Sequence, residues 1–326
     1  MARPLRIEFE GALYHLCARG NERQKIFRDE KDYAQFIELI DCAEARYQVA
    51  VLAFVLMGNH FHLIAQTQRA NLSRWMHWLM VSYSVYFNWR HQRSGHLFQG
   101  RYKSFLVESD SGDYLVSLSR YLHLNPVRGR ALGAGTPAER RAGLRQYRWS
   151  SYPGYGGLKK QFRFVQEKRI LEQMGGGQSA RRLSYRRYVE EGLLREIESP
   201  WELVQWQTLL GSESFVRRLQ ERMQGKEQER AEVTALRQAA RSPNGMGILK
   251  KVARHYGLAV ERLQERGGYG LEARNVAMWV VWENCGMSLR EIGELFGGLS
   301  YAAVAQRLRR VEPKGKKVAA KIAREC

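Results

Sequence analysis

Along the first 130 residues the apolar positions switch between a two-residue and a 3.6-residue period, and the switches mark out elements. Residues 12–19 read as a strand. Residues 29 to about 47 read as a helix with Phe36, Ile37, Leu39 and Ile40 on its apolar side. Residues 49–57 are a continuous apolar run, Gly58-Asn59 is a tight-turn dipeptide, and residues 60–66 resume as a strand, so this stretch predicts a hairpin. From 72 to about 90 the spacing of Leu72, Trp75, Met76, Leu79, Met80, Tyr83, Tyr86 and Phe87 is helical again, and 102–108 reads as a further strand. Asp110 is placed to cap the next helix, which carries Tyr114, Leu115, Leu118, Tyr121, Leu122 and Asn125 before Pro126 stops it.

Strand, helix, strand, strand, helix, strand, helix is the order of a ferredoxin-like α+β sandwich, an antiparallel sheet with helices on one face. We place this domain at residues 1–157. Gly154, Gly156, Gly157, Lys159 and Lys160 suggest an exit loop, and residues 158–242 read as an all-α connector, charged and without candidate strands from about 183 to 241. Ser242-Pro243-Asn244-Gly245 marks the next boundary, and residues 243–326 form helical segments separated by glycines. Within them, 274–282 is a helix and Ser288 with Glu291 makes a capping-box pattern that starts a second, 289–296. After the Gly297-Gly298 turn, Ser300 is placed to cap a last helix, 301–310, with Gln306, Arg307, Arg309 and Arg310 among its exposed positions. Two short helices joined through glycine, the second one basic, make a helix-turn-helix pattern; a small helical bundle with a basic face is the alternative.

Charge adds a partner class. Among 326 residues, 53 Lys and Arg stand against 33 Asp and Glu, a formal charge of +20 that attracts a polyanion: nucleic acid or an anionic membrane surface, if it is not simply a solvated basic exterior. No apolar run approaches the ~20 residues of a membrane span and no signal-peptide core opens the chain, so a cytoplasmic protein without membrane partners is expected. Cys17, Cys42, Cys285 and Cys326 are scattered, which argues against a zinc ribbon or a disulfide framework and for reduced thiols.

Two short motifs carry chemistry. In His60-Phe61-His62, residues i and i+2 of a strand point to one face about 6–7 Å apart, so two imidazoles can hold one metal ion while Phe61 faces the core. A satisfied or surface histidine pair is the bland alternative. In the stretch 121–126, Tyr121 and Asn125 share one helix face, where Asn125 can offer a carbonyl oxygen to a metal. A phenol beside it is a plausible nucleophile for phosphodiester cleavage; Tyr121 also suits an amphipathic core position.

On these residues the chain resembles the single-tyrosine HUH transposases, in particular the REP-associated tyrosine transposases. The resemblance rests on residues 19–23 (RGNER), 57–63 (MGNHFHL), 97–103 (LFQGRYK) and 121–128 (YLHLNPVR), which recur in order and span nearly all of the first domain. It implies that His60 and His62 are metal ligands and that Tyr121 is the nucleophile. Asn125 occupies the position where relatives often carry a glutamine as third ligand. It further implies Mg2+ or Mn2+ as cofactor, a 5′-phosphotyrosine intermediate, and resealing by a 3′-hydroxyl without ATP. Arg19, Arg23, Arg101 and Lys103, in the family-like segments, are candidate phosphate contacts. Trp75, Trp78 and Tyr83 suit either core packing or base stacking.

Ala273-Arg274 to Met278, residues 288–293 (SLREIG) and 296–298 (FGG) resemble the carboxy-terminal domain of the replication initiator DnaA. Where relatives carry Asp-His-Thr-Thr this chain has Ser300, Tyr301, Ala302 and Ala303, which implies duplex binding with a different sequence preference. Arg307, Arg309 and Arg310 are the candidate contacts. The leading expectation is therefore an enzyme acting on single-stranded or hairpin DNA with flanking duplex, as a monomer or homodimer. A domesticated, non-cleaving DNA-binding regulator is the alternative, and an RNA-binding protein would leave the histidine and tyrosine set without a use.

Overall fold

The computed structural model describes residues 7–108, 112–128, 135–194, 204–205, 209–210, 212–222, 244–265, 271–285 and 287–324. Asp110, Ser242, Pro243, Gly286 and Cys326, and most of the charged stretch up to Arg241, lie outside them. The chain divides into two compact units, Arg6–Glu198 and a second that includes Ser199–Cys326.

The first unit begins β1 (Leu13–Arg19), α1 (Glu30–Tyr47), β2 (Val49–Met57), β3 (His60–Thr67), α2 (Leu72–Arg90) and β4 (Lys103–Val107). The strands lie in the order β2-β3-β1-β4 with every neighbouring pair antiparallel, which is the ferredoxin-like arrangement. Asp29 starts α1 by accepting from the backbone N–H groups of Lys31 and Asp32, and Gln48 ends it in the left-handed conformation. Gly58-Asn59 closes the β2–β3 hairpin, with Met57 opposite His60.

On one face of the sheet, Phe61 of β3 meets Phe36 of α1, at 4.9 Å between ring centroids, and Phe98; Tyr83 of α2 packs edge-on against Phe36. Trp75 and Tyr83 are fully buried, and the Tyr83 hydroxyl donates to the Ile26 carbonyl at 2.6 Å, so both belong to the core rather than to a stacking surface. Trp78 is half-buried, with the Arg46 guanidinium over its ring.

α3 (Gly112–Leu124) packs on β2 and β3. A 3-10 turn, Asn125–Val127, follows it, then α4 (Pro137–Gln146), α5 (Tyr152–Tyr155), α6 (Lys168–Leu171) and α7 (Gln178–Glu191). The unit thus runs well past residue 157, because the later residues supply core: Tyr185 and Val189 of α7 are buried, and Glu190 accepts from Arg145 and Tyr152. Tyr155 donates to the Leu52 carbonyl, and Trp149 and Gln166 cover the outer edge of β2 with backbone bonds.

The second unit contains two two-residue strands, β5 (Val204–Gln205) and β6 (Leu209–Leu210), antiparallel to each other, where no strand was expected, and α8 (Glu213–Arg222). A helical cluster follows: α9 (Gly245–Tyr256), α10 (Val260–Gln264), α11 (Glu272–Asn284), α12 (Leu289–Leu295), α13 (Tyr301–Arg310) and α14 (Pro313–Arg324). Its core is Ile248, Leu249, Val252, Val276, Val280, Ile292, Val304 and their neighbours. Among the described residues, no helix is long and apolar enough to cross a membrane.

Candidate active site and nucleic-acid interface

Residues directly opposite in an antiparallel pair project to the same face. Arg19 lies opposite His60, Cys17 opposite both His62 and Lys103, and His15 opposite Phe105, so all of these share one face, the reverse of the one Phe61 covers. The two histidine rings are edge-on with centroids 5.2 Å apart. Burial, and next the Arg19 charge, pull the pKa of His60 down to about 4; burial also holds His62 well below the ordinary histidine value, helped by the charges of His15, His60 and Arg19. Both imidazoles are therefore neutral near pH 7, the form that binds a metal.

Each ring is braced through Nδ1. Asn59 Nδ2 donates to the Arg23 carbonyl at 3.1 Å, which turns Asn59 Oδ1 toward His60 Nδ1 at 2.7 Å. As the acceptor there, Oδ1 fixes the proton on Nδ1 and leaves the lone pair on His60 Nε2. His62 Nδ1 meets His15 Nε2 at 3.0 Å.

Three of the sequence motifs converge at this edge of the sheet. The Gly20 N–H donates to Asn59 O, Asn21 N–H to Leu97 O, and Gln99 N–H to Arg19 O, which ties residues 19–23, 59–62 and 97–103 together. Gly20 is required by space, because a Cβ there would be driven into the Gln24 carbonyl. Glu22 and Arg23 then take left-handed backbone, at φ 53° and 61°. Arg19, Arg23, Arg101 and Lys103 are all exposed.

The fourth motif lies on α3 and the turn after it. Tyr121 is half-buried, and the Arg128 guanidinium sits 5.4 Å from its ring centroid. Asn125 Nδ2 donates to the carbonyls of Tyr121 and Leu122, at 3.0 and 3.3 Å, so its Oδ1 is the atom turned away from the helix backbone. His123, on the other side of α3, is fully buried between Tyr185 (Nδ1 to hydroxyl, 2.7 Å) and Ser151 (Nε2 to Oγ, 2.8 Å). Tyr185 donates onward to Ser119, and Ser151 Oγ accepts from the Phe54 N–H of β2. This buried chain fixes α3 on the sheet and leaves Tyr121 and Asn125 on the opposite side of the helix. Among the described residues, no cluster of three or more His, Cys, Asp or Glu forms a metal site.

In the second unit, Ser288 and Glu291 form the expected capping box, and Ser300 caps α13 by accepting from Ala303 N–H. Gly297 and Gly298 have positive φ, and the backbone N–H groups of Gly298 and Leu299 return to the Gly293 carbonyl. Arg274 is fully buried in α11 and donates to the Phe296 carbonyl at the end of α12, at 2.7 Å. Along α13, Val304 and Leu308 face the core while Ala302, Gln306, Arg309 and Arg310 are exposed; Arg307 is half-buried. Of the three candidate arginines, Arg309 and Arg310 thus occupy the open side.

Residues 8–125 match the family model of IS200-like transposases. The first unit carries an IS200-like transposase domain. Residues 246–311 match the helix-turn-helix of bacterial DnaA protein, so a DnaA-type DNA-binding domain follows it. A solved structure of a REP-associated tyrosine transposase bound to a REP hairpin aligns at 13% identity over 55% of this chain and 93% of its own, with a TM-score of 0.39. No curated protein matches the chain.

Within the first unit, the roles of Asn59, His15 and His123 leave no local mark in the sequence. Asn59 was legible only as a turn residue. His15 and His123 lie in apolar runs and acquire partners 28 to 62 residues away, a relation that carries no local signal.

Proposed function

We propose that this protein is a metal-dependent single-strand DNA endonuclease and strand transferase, acting on hairpin or repeated palindromic DNA through a 5′-phosphotyrosine on Tyr121. The observation that carries this reading is the pairing of His60 and His62 on one face, each neutral and braced at Nδ1, within the motifs of an IS200-like domain. The donor types fit a divalent cation: the imidazole nitrogens of His60 and His62 share one face, and with the Asn125 carboxamide oxygen as a third ligand they would make a neutral, borderline donor set that suits Mn2+ better than the harder Mg2+. When bound, such a cation would polarise the scissile phosphate and offset the charge that develops on it.

Tyr121 Oη forms a bond to phosphorus as the bond from phosphorus to the 3′-oxygen breaks. The phenol proton leaves, the departing oxygen takes one up, and the products are the 5′-phosphotyrosine and a free 3′-hydroxyl. Attack by a second 3′-hydroxyl reverses the same exchange and joins the strands. Arg128 favours the negative charge on the attacking phenolate. Arg19 and Lys103, on the histidine face, and Arg23 and Arg101 beside it, hold the strand by its phosphates. The helix-turn-helix domain grips flanking duplex through Arg309 and Arg310, with Arg307 at the margin.

The test is incubation of full-length protein with a labelled DNA hairpin carrying a single-stranded flank and Mn2+, followed by a denaturing gel. A covalent adduct is expected with wild type and none with Tyr121→Phe, whose DNA binding stays intact. Adduct in the Tyr121→Phe lane removes Tyr121 from the mechanism, and its absence in both lanes, with tight binding, favours a non-cleaving DNA-binding regulator.

A further inference from the structure

A histidine that binds metal through Nε2 must carry its proton on Nδ1, so something must accept that proton. For His60 that acceptor is Asn59 Oδ1. For His62 the atom at Nδ1 is His15 Nε2, on the neighbouring strand and 47 positions away in sequence. The register explains the meeting: Cys17 lies opposite His62 and His15 opposite Ile64, so His15 is the diagonal neighbour of His62 on the same face. The two rings stack, with centroids 5.2 Å apart and planes inclined by 27°, and Phe105 packs against His15 at 6.0 Å. His15 is fully buried, so its ring is held by packing on a strand that pairs on both sides.

We propose that His15 is a positioning residue: its Nε2 accepts the Nδ1 proton of His62 and so fixes the tautomer and ring orientation in which His62 presents its Nε2 lone pair to a divalent cation. This rests on the reading of His60 and His62 as ligands. His15 is not itself a ligand, because the nitrogen it turns toward the site is already engaged by His62. The sheet thus supplies two different braces for two adjacent ligands, a turn carboxamide for the outer one and a buried imidazole for the inner one. The arrangement also makes demands on side-chain length. Glutamine can bring Oε1 close to where His15 Nε2 lies and accept the same proton, whereas leucine fills the space and accepts nothing.

The experiment uses the full chain and Mn2+ alone. Binding is measured from the free-ion electron paramagnetic resonance signal for wild type, His15→Leu, His15→Gln and His62→Ala, with circular dichroism to confirm folding. In parallel, nitrogen-15 spectra of the metal-free wild type identify the His62 tautomer. His15→Leu is expected to weaken Mn2+ binding roughly 10–100-fold and His15→Gln to stay within about threefold of wild type. The metal-free protein is expected to carry the His62 proton on Nδ1. A folded His15→Leu that binds Mn2+ like wild type overturns the proposal, as does a folded His15→Gln that loses as much as His15→Leu. If His15→Leu does not fold, the tautomer decides, and a proton on His62 Nε2 overturns it. Unchanged Mn2+ binding by His62→Ala fails the ligand reading itself, an outcome distinct from a silent His15.

Discussion

In the first unit the candidate site residues come from four separated segments: those within residues 15–23, 59–62 and 97–103 are tied together at one edge of the sheet, and those within 121–128 lie on α3 and the turn after it. In the second unit the candidate DNA-reading surface is one side of a single helix, α13, of 10 residues. The difference follows from what each is proposed to do. A metal ligand or nucleophile displaced by an ångström stops working, so its position is over-determined by long-range bonds between strands and helices. A helix that docks in a groove needs only its own exposed side chains and a turn that sets its angle, and phosphate contacts add nearly independently. The first region should therefore fail as a whole when one brace is removed, and the second should weaken by increments.

The largest contrast should appear on acidification. In the folded first unit burial holds His15 and His123 at about 3 and His60 at about 4, against about 6.5 for an unfolded histidine. The unfolded chain therefore takes up protons first. Stability is complete above pH ~6.5 and is lost as the pH falls toward 4, by roughly 1.4 kcal/mol per pH unit for each fully buried histidine. The second unit has a single, exposed histidine, His255. Calorimetry from pH 7 to 4.5 should lower the melting transition of the first unit well before that of the second; an equal fall in both would erase the contrast.

Next comes His123→Ala, which leaves Tyr185 and Ser151 short of a partner inside the core. A loss of about 2–4 kcal/mol is expected from the broken bonds and the cavity. Adduct formation should drop with it while duplex binding persists, as gel and anisotropy measurements on the same sample would show. Full adduct yield from this variant would mean that the buried chain does not set the pose of Tyr121.

A matched glycine pair gives a smaller effect. A Cβ at Gly20 collides with the Gln24 carbonyl, and one at Gly293 collides with the Leu299 carbonyl. Each alanine substitution should cost about 1–3 kcal/mol by forcing backbone apart. Gly20→Ala should depress cleavage and spare duplex binding, and Gly293→Ala the reverse. If both variants lose both properties, the two regions do not act separately. Smallest is Arg309→Ala with Arg310→Ala, which should flatten the slope of log affinity against log salt for duplex by about 1.8, or 0.9 for each lost phosphate contact. An unchanged slope would remove α13 from the duplex interface.

Much of this fold was legible in the sequence, because its strands and helices carry strong periods. The apolar run at 49–57 became β2 without a shift of boundary, and the Gly58-Asn59 turn fixed the hairpin register. The capping box at Ser288 and Glu291 formed as its spacing required. The two-residue strands β5 and β6 are too short to show any period, and α7 reads as a polar helix because only Tyr185, Val189 and Glu190 of its 14 residues are buried. At the candidate site, the shared face of His60 and His62 follows from strand alternation alone. Their braces do not, since His15 and Arg23 become neighbours of β3 only through the order of strands in the sheet.

Asn59 holds a last consequence. It is at once the second residue of a hairpin turn and the group that orients His60. Turn preferences alone would accept a glycine or aspartate in its place, and the hairpin would still close. Glycine would leave His60 free to exchange its two protonated forms. Aspartate would place a negative charge beside it and give up the amide hydrogen that Arg23 O now receives. A redesign that optimised this loop for folding would thus keep the architecture and silently detune the proposed metal site, so this turn cannot be exchanged as a modular part.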